Sequence, residues 1–512
     1  MLRGGALLIA AKVVHVLAGF GLYFLVALAF TRSRGEIAGT AAFGVWGATF
    51  GVMNPINQMA ATATLQMISR AVACRSSCSA AVFRTCARLQ LPLVTGVFLV
   101  LVLGARPIAR IVLNDETYAP YLRLASIVPV FYAVRALYQG YLNGTRRFRE
   151  QAWLDIGGSL SRMLLVVAGA ALGFGAMGAI AGFVTAAAAI AVVALVWIRL
   201  DSSGPPAADG GGFRELLSFQ ALVVAVTLAT QYLINVDVLA VKALGAADPV
   251  VADRYAGYYT AAQRLAQIPM SVVVALAYLM FPFVAAGSAE RGGAREREVV
   301  RGGLRTLLLL IVPCTAVLAS TTRESLPLVF PTIVRTAVDT GDSLAMLSRP
   351  LAVLTVGYLL FALFQTASIL ITAAGRPGLS AAIAGAALAL AWFLTRALTP
   401  PFGLLGAALG VTLAWALGLA ACAVVMRARF GAFVPLASAA RILASGAAIY
   451  GLSLAVPVAG LSLLLKDALL MLGFVGLLLA TRETSVSELR GVLHQLLGRR
   501  HPAPRPAGDD GP

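Results

Sequence analysis

Charge is scarce in this sequence. Charged residues make up 12% of the 512 positions and hydrophobic residues 60%, whereas roughly a quarter of a soluble protein is charged. No globular fold of ordinary composition buries so much apolar surface. The scarcity of charge therefore excludes a soluble enzyme, a large extramembrane domain and a coiled coil.

Cysteine is also sparse. Five cysteines cannot form a complete set of disulfides, and no histidine lies near Cys74 and Cys78, which are one helical turn apart. We expect free thiols in a reducing compartment, and no metal site.

Long apolar stretches are what the sequence has in abundance. Fourteen of them, from Leu7–Phe30 to Leu461–Ala480, are separated by short polar breaks, and most reach the roughly 20 residues that cross a bilayer. The first is too long for the apolar core of a signal peptide, so we expect it to remain as a membrane anchor. The sequence predicts an all-α polytopic membrane protein with about 14 transmembrane helices.

The basic residues of the loops are arginines, and they are distributed unevenly. With a cytoplasmic N-terminus, about 24 positive charges fall in cytoplasmic segments and roughly 8 outside. This bias predicts that both termini are cytoplasmic. We interpret the longest outer connection, Thr321–Pro350, as a solvated connector rather than a lid.

Two parts of the sequence resemble each other. Phe131–Gln139 aligns with Gly357–Gln365, and Gly175–Ala179 aligns with Gly403–Ala407. Six predicted helices separate the partners, so both copies enter the membrane in the same direction, as in a parallel repeat with a substrate site between its lobes. The predicted organisation is an N-lobe of six helices (1–199), a cytoplasmic linker (200–213), a C-lobe of six helices (214–430), two further helices (431–481), an amphipathic cytoplasmic helix (482–498) and a disordered tail (499–512).

Polar side chains recur every three or four residues within several apolar stretches. This spacing places them on one face of a helix, and polar groups in a membrane are expected to face protein or water. Because five helices from both lobes carry such a stripe, we interpret the stripes as the lining of a central aqueous cavity, although for any single glutamine or tyrosine we favour interhelical hydrogen bonding. The lining residues are Tyr132, Gln139, Gln231, Gln263, Tyr358 and Gln365.

Cations outnumber acids among the charges predicted inside the membrane. Lys12, Arg135 and Arg264 are cationic, whereas Asp237 is the only acid placed well inside a predicted helix. A net positive cavity favours an anion, and a guanidinium group binds phosphate through paired hydrogen bonds. Arg135, Arg264 and Lys12 are therefore the candidate substrate-binding cations.

Three further residues have two interpretations each. Arg162 either binds substrate or pairs with Asp155. Asp237 either neutralises an arginine or carries a coupling cation. His15 either titrates near neutral pH or remains neutral and hydrogen-bonded.

Five short motifs occur in a fixed order along the chain. They are Phe43-Gly44, then Gln139 with Asn143-Gly144-Thr145-Arg146, then Asn235-Val236-Asp237-Val238-Leu239, then Tyr255-Ala256-Gly257-Tyr258-Tyr259-Thr260-Ala261-Ala262, and Phe281-Pro282. Together with the fourteen-helix plan, this order resembles the polysaccharide transporter branch (oligosaccharide flippases) of the multidrug/oligosaccharidyl-lipid/polysaccharide exporter superfamily. The resemblance covers about residues 1–480.

The resemblance implies a non-enzymatic flippase of the bacterial inner membrane. Such a protein moves undecaprenyl-pyrophosphate-linked oligosaccharides by alternating access, and the pyrophosphate would meet Arg135, Arg264 or Lys12. No cofactor is implied beyond a coupling proton or sodium ion. The implied partners are the polyprenyl-pyrophosphate-linked glycan, membrane lipids and glycan polymerase or synthesis enzymes, and no nucleic acid.

Three alternatives are weighed against this function. A lipid II flippase has an arginine-rich first helix, whereas the first helix here offers only Lys12 and His15. A cation-coupled multidrug exporter has a coupling acid in that helix, which this chain lacks. A membrane glycosyltransferase or polymerase needs carboxylates or metal ligands on substantial loops, and the loops here are short.

Overall fold

The computed structural model describes residues 2–74, 79–200, 213–271, 294–373, 376–430, 436–458 and 460–484. Throughout these ranges the chain is helical apart from short turns, and they contain no β-strand. A helix satisfies its own backbone hydrogen bonds, as a chain crossing hydrocarbon must. The all-α prediction is confirmed.

The structure describes eight α-helices in the N-terminal half. They are α1 (Leu2–Arg34), α2 (Glu36–Cys74), α3 (Ser79–Leu103), α4 (Ala105–Leu113), α5 (Ala119–Ala125), α6 (Val128–Gly144), α7 (Phe148–Ala171) and α8 (Gly175–Trp197). The third and fourth predicted stretches, Leu91–Leu113 and Tyr121–Leu142, are thus each divided in two. The divisions fall where helix propensity is weakest, at Gly104 and just before Pro129, because glycine and proline favour helix boundaries.

The structure describes ten α-helices in the C-terminal half. They are α9 (Phe213–Leu233), α10 (Val236–Leu244), α11 (Pro249–Ala266), α12 (Ala294–Ser320), α13 (Thr322–Val329), α14 (Pro331–Asp339), α15 (Ala345–Ala373), α16 (Pro377–Phe430), α17 (Leu436–Ala455) and α18 (Ser462–Ala480). The prediction that Thr321–Pro350 is a solvated connector is therefore wrong. Helices α13 and α14 lie within this segment and bury Leu326 and Ile333.

Helix α16 is a hairpin. Gly403 has φ 58° and ψ −138°, a left-handed conformation that suits glycine, and the chain reverses there. The two arms pack closely, since a Cβ on Gly406 would lie 1.9 Å from the carbonyl oxygen of Leu398. Two of the predicted apolar stretches, Ser380–Leu394 and Phe402–Met426, are these two arms.

Nine helices in the described ranges are long and apolar enough to cross a membrane, and the bent pair α9 and α10 makes a tenth. One of the nine contains the hairpin at Gly403. Large apolar side chains on these helices, such as Leu103 and Val196, are more than three-quarters exposed, as expected for surfaces that face lipid. The chain is a multi-pass membrane protein, and the count of fourteen crossings stays a prediction.

Helix α2 joins the two halves. It packs against α1 and α6 from its own half and against α9 and α11 from the other. Its contact with α11 is close because glycines face each other, and a Cβ on Gly44 would lie 1.8 Å from the carbonyl oxygen of Asp253. Small residues at such crossings let helix backbones approach directly.

The fold has two distinguishable ends. The turn at residues 145–147 and the segments near Arg199, Arg376 and Arg441 form what we call the arginine-rich end. The opposite end carries Glu36, Asp115 and Gly403. Most of the predicted linker (200–213), most of the predicted amphipathic helix (482–498) and the whole predicted tail (499–512) lie outside the described residues, as do Cys78 and the Phe281-Pro282 motif.

Candidate functional site

The first polar cluster surrounds Asp155, a buried residue two turns into α7. Arg135 of α6 places its Nη2 3.1 Å from Asp155 Oδ1, and the Gln139 amide donates to the same oxygen. Lys12 of α1 lies 4.0 Å from Asp155 Oδ2. We call Lys12, Arg135, Gln139 and Asp155 the Asp155 cluster.

His15 and Ser159 extend this cluster along α1 and α7. The Ser159 hydroxyl donates to the carbonyl oxygen of Asp155 at 2.8 Å and lies 2.9 Å from His15 Nδ1. Since the serine has a single hydroxyl proton, this arrangement makes His15 Nδ1 the donor to Ser159. His15 is therefore hydrogen-bonded, as one of its two interpretations required.

Positive charge is in excess around the Asp155 cluster. Arg162, Lys12 and Arg135 all act electrostatically on His15, and Asp155 supplies one negative charge against these three cations. The predicted pair between Arg162 and Asp155 is wrong, because Asp155 turns toward Arg135 of the neighbouring helix. The Nε atom of Arg162 is buried and has no hydrogen-bond partner in the described part of the chain.

The second polar cluster surrounds Asp237, which is fully buried in the first turn of α10. Its carboxylate accepts hydrogen bonds of 2.9 Å from the Tyr259 hydroxyl, the Gln263 amide and the Val238 backbone N–H. All three donors are neutral, and the position in the first helical turn favours a negative charge through the helix dipole. Neutral groups thus solvate Asp237 where the sequence suggested an arginine.

A helix break supports this second cluster. Helices α9 and α10 meet at an angle of 50°, which leaves the carbonyl groups of Leu233 and Ile234 without helical partners. The indole N–H of Trp415 donates to Leu233 O at 3.2 Å, and Gln263 donates to Ile234 O at 3.0 Å. Broken helices of this kind are tolerated in membranes only when neighbours satisfy the freed groups.

Arg264 links the second cluster to the N-terminal half. Its guanidinium lies 4.2 Å above the Tyr23 ring of α1 and donates to Gln267 at 2.9 Å. Gln267 in turn donates to the Tyr358 hydroxyl at 2.7 Å. No acid among the described residues pairs with Arg264, so its charge is balanced only by an aromatic face and an amide oxygen.

The structure therefore brings the predicted residues together as two groups. Arg135, Lys12 and Gln139 meet in the first. In the second, Gln263 bonds Asp237, and the neighbouring Arg264 is linked to Tyr358 through Gln267. Three predicted residues enter neither hydrogen-bond network through their side chains in the described part of the chain. They are Tyr132, whose ring lies 5.9 Å from the Arg135 guanidinium, and the half-buried Gln231 and Gln365.

Sequence reasoning missed Tyr23 and named Asp155 only as a possible partner of Arg162, not of Arg135. Asp155 falls at the start of the predicted stretch Trp153–Gly173, whereas α7 begins five residues earlier at Phe148. The amphipathic start of α7, with Glu150 in its first turn, is the signal that would have placed Asp155 inside the helix. No local pattern distinguishes Tyr23 from other aromatic residues that face lipid.

A family model described as polysaccharide biosynthesis protein matches residues 37–332. The chain belongs to this family. The match spans more than half of the sequence and includes Arg135, Asp155, Asp237 and Arg264, so the resemblance drawn from the sequence motifs is confirmed. A comparison with curated protein sequences finds no significant match.

Solved structures with the same fold are transporters. The lipid II flippase MurJ in an inward closed conformation aligns with a TM-score of 0.64 and 12% identity, over 98% of this chain and 100% of that one. An inward-facing multidrug resistance MATE family transporter of the MOP superfamily aligns with a TM-score of 0.62 and 14% identity, over 82% and 98%. A MOP superfamily transporter from Pyrococcus furiosus gives 0.56 and 14%, over 83% and 95%. At such low identities these alignments show a shared fold, which is a multi-helix transporter architecture.

Proposed function

We propose that this chain flips a polyprenyl-pyrophosphate-linked oligosaccharide across the bacterial inner membrane by alternating access between its two halves. The observation that carries the proposal is the excess of cations at the Asp155 cluster and at Arg264. The family supplies the context of polysaccharide biosynthesis, and the cations supply the chemistry of an anion-binding site.

These cations are suited to bind the negative charge of the substrate. A pyrophosphate offers several acceptor oxygens, and arginine donates to such oxygens in pairs. Arg135 is 17% exposed in its side chain and Lys12 is 70% exposed, so both are within reach of a ligand. A cationic drug would be repelled by the same groups, which argues against a multidrug exporter.

An accessible stripe on α2 fits the path of a polar glycan. Most of α2 is buried, yet Gln58, Gln66 and Arg70 are exposed along one face, with Asn54 and Thr62 partly so. These residues step by four along the helix and lead toward the arginine-rich end. Hydrogen-bonding side chains of this kind suit a hydrated oligosaccharide, and the glycan's identity is set by exchangeable contacts rather than by one residue.

The orientation and the coupling ion belong to the same proposal. By the positive-inside rule, the arginine-rich end faces the cytoplasm. Asp237 and His15 are the candidate coupling groups, for a sodium ion or a proton. Asp237 suits this role because it lies buried among neutral donors, so that binding of a cation there would remove an uncompensated charge.

The test is flipping of fluorescent polyprenyl-pyrophosphate oligosaccharides in proteoliposomes, with lipid II as a comparator substrate. We expect Arg264→Ala to reduce the rate by roughly 10–100-fold, since a hydrogen bond to a charged group is worth about 1.5–3 kcal/mol. Arg110→Ala is the matched control and should leave the flipping rate unchanged. Arg110 is exposed at the end of the molecule opposite the arginine-rich end, and it pairs only loosely with Glu116.

Arg135 needs a compensated variant. Removing Arg135 alone strands Asp155, whereas Arg135→Gln with Asp155→Asn removes both charges of a buried pair, which proteins tolerate better. Slow flipping by the folded double variant supports Arg135 as a binding residue, and wild-type flipping removes it from the site. Transport of no glycan by the wild type would refute the proposed function, and faster transport of lipid II would redirect it.

A further inference from the structure

A fully buried lysine lies at the end opposite the arginine-rich loops. Lys242 of α10 places its Nζ 2.9 Å from Asp115 Oδ2 and 2.6 Å from Asp253 Oδ1. Its side chain is 1% exposed, against 8% for Asp115 and 17% for Asp253. The Tyr118 hydroxyl donates to Asp253 Oδ1 at 2.5 Å, and we call these four residues the Lys242 lock.

The lock joins the two halves through two contacts. Asp115 and Tyr118 lie between α4 and α5 of the N-terminal half, whereas Lys242 and Asp253 lie on α10 and α11 of the C-terminal half. The bonds from Lys242 to Asp115 and from Tyr118 to Asp253 therefore both cross from one half to the other. Lys242 Nζ also lies 4.9 Å from the centre of the Tyr118 ring.

Separation of the halves would affect the two aspartates differently. Lys242 and Asp253 belong to the same half, so their ion pair would persist, and Lys242 would also keep its hydrogen bond to Pro249 O. Asp115 would keep only the hydrogen bonds from Thr117, a neighbour on its own turn. After the halves separate, the C-terminal half therefore still holds Lys242 neutralised by Asp253.

Close packing surrounds the lock at the same end. The crossing of Gly44 and Gly257 brings α2 against α11, and Thr40 of α2 hydrogen-bonds Thr336 of α14 at 2.8 Å. At the arginine-rich end, by contrast, α2 exposes Gln66 and Arg70. The structure is thus closed at the end that carries the lock.

We propose that the Lys242 lock holds the two halves together at this end and has to break in every transport cycle, so that it sets the balance between the closed state and the state open at this end. The proposal rests on alternating access, which is part of the proposed function. It assigns to Lys242, Asp115, Tyr118 and Asp253 a conformational role apart from the two polar clusters.

The test is a distance measurement across the lock. Spin labels at Glu116→Cys and Ala247→Cys, both exposed positions on opposite halves, are introduced into a cysteine-free background in proteoliposomes without substrate. For the unmodified lock we expect one short distance. For Lys242→Met we expect a second, longer distance, with the ratio of open to closed molecules raised about tenfold or more, because a buried charge has lost its partner.

The matched control is Arg335→Gln. Arg335 and Glu36 also pair across the halves at this end, at 3.9 Å, but Arg335 is 70% exposed. Exposed pairs contribute little, so the distances should stay unchanged. Asp115→Asn is the milder variant and decides the matter if Lys242→Met does not fold.

Unchanged distances in folded Asp115→Asn and Lys242→Met would overturn the lock. An opening in these variants combined with no flipping of any glycan would leave the lock standing and refute the substrate. The two proposals therefore fail separately.

Discussion

The crossing of α2 and α11 is tight enough for one methyl group to test it. A Cβ on Gly44 would lie 1.8 Å from the carbonyl oxygen of Asp253 and 2.7 Å from the backbone nitrogen of Gly257. Both contacts are with backbone atoms, which cannot rotate away as a side chain can. Gly44→Ala therefore forces the helices themselves to move.

The expected magnitude follows from the size of that clash. Ordinary contact starts near 3.4 Å, so α2 and α11 would have to separate by about 1.6 Å, and overpacking of this kind costs about 1–3 kcal/mol. Alanine regains about 0.5–1 kcal/mol through its better helix propensity. The net loss is then about 0–2.5 kcal/mol, centred on about 1.2 kcal/mol, which is roughly an eightfold change in an equilibrium.

Thermal unfolding in detergent, followed by tryptophan fluorescence, measures this loss. Gly385→Ala is the matched control, because Gly385 lies on α16 with nothing within 4 Å of an added Cβ, and it should unfold at or slightly above the wild-type temperature. The reciprocal Gly257→Ala, whose Cβ would lie 2.4 Å from Thr40 O, should resemble Gly44→Ala. If Gly44→Ala unfolds at the same temperature as Gly385→Ala, the crossing of α2 and α11 is looser than 1.8 Å implies, and the predicted clash is refuted.

Two further predictions concern Glu483 and Trp415, which lie outside the Asp155 cluster and do not contact the Asp237 carboxylate. Burial raises the pKa of Glu483, but hydrogen bonds from Ser438 and Arg305 outweigh it and hold the pKa below its ordinary value of 4.5. The stability that Glu483 contributes is thus complete above pH 4.5 and is lost as pH falls through the lower folded value. The difference in melting temperature between wild type and Glu483→Gln should therefore shrink on acidification, and a constant difference would contradict this. Trp415→Phe removes the indole donor to Leu233 O at the helix break. It should lower the free energy of unfolding by about 0.5–1.5 kcal/mol, and an unchanged denaturation midpoint would show that the carbonyl has another partner.

The helical architecture followed from the sequence because it depends on local properties. Apolar stretches predicted where helices lie, and the spacing of Tyr259 and Gln263 placed both on one face of α11, where the structure shows them bonded to Asp237. The hairpin turn at Gly403 lies one residue inside the predicted stretch Phe402–Met426, next to the predicted break that precedes it. The helix start at Phe148 was missed because the segment is charged, although its amphipathic pattern, with Glu150 in the first turn, is a local sign of the helix.

The pairing of charges was beyond the sequence because it depends on how distant helices cross. Lys242 and Asp115 are 127 positions apart, and neither residue's neighbours indicate the other. Nothing in the sequence around Arg135 indicated an acidic partner. The structure supplies one, because the packing of α6 on α7 places Asp155 beside it. A buried charge needs a partner for physical reasons, but the fold alone selects which one.

These pairings rank the anion-binding candidates by how far their charge is already neutralised. Two carboxylates offset the charge of Lys242, and Asp155 offsets part of the charge of Arg135 and Lys12. Arg264 has no acidic partner within the described ranges, and its contacts are an aromatic ring and an amide. An anion gains most from the cation that is least neutralised, because its attraction is not reduced by a competing carboxylate. Arg264→Ala should therefore slow flipping more than the paired removal of Arg135 and Asp155, and the reverse order would mean that the Asp155 carboxylate moves away from Arg135 when substrate binds.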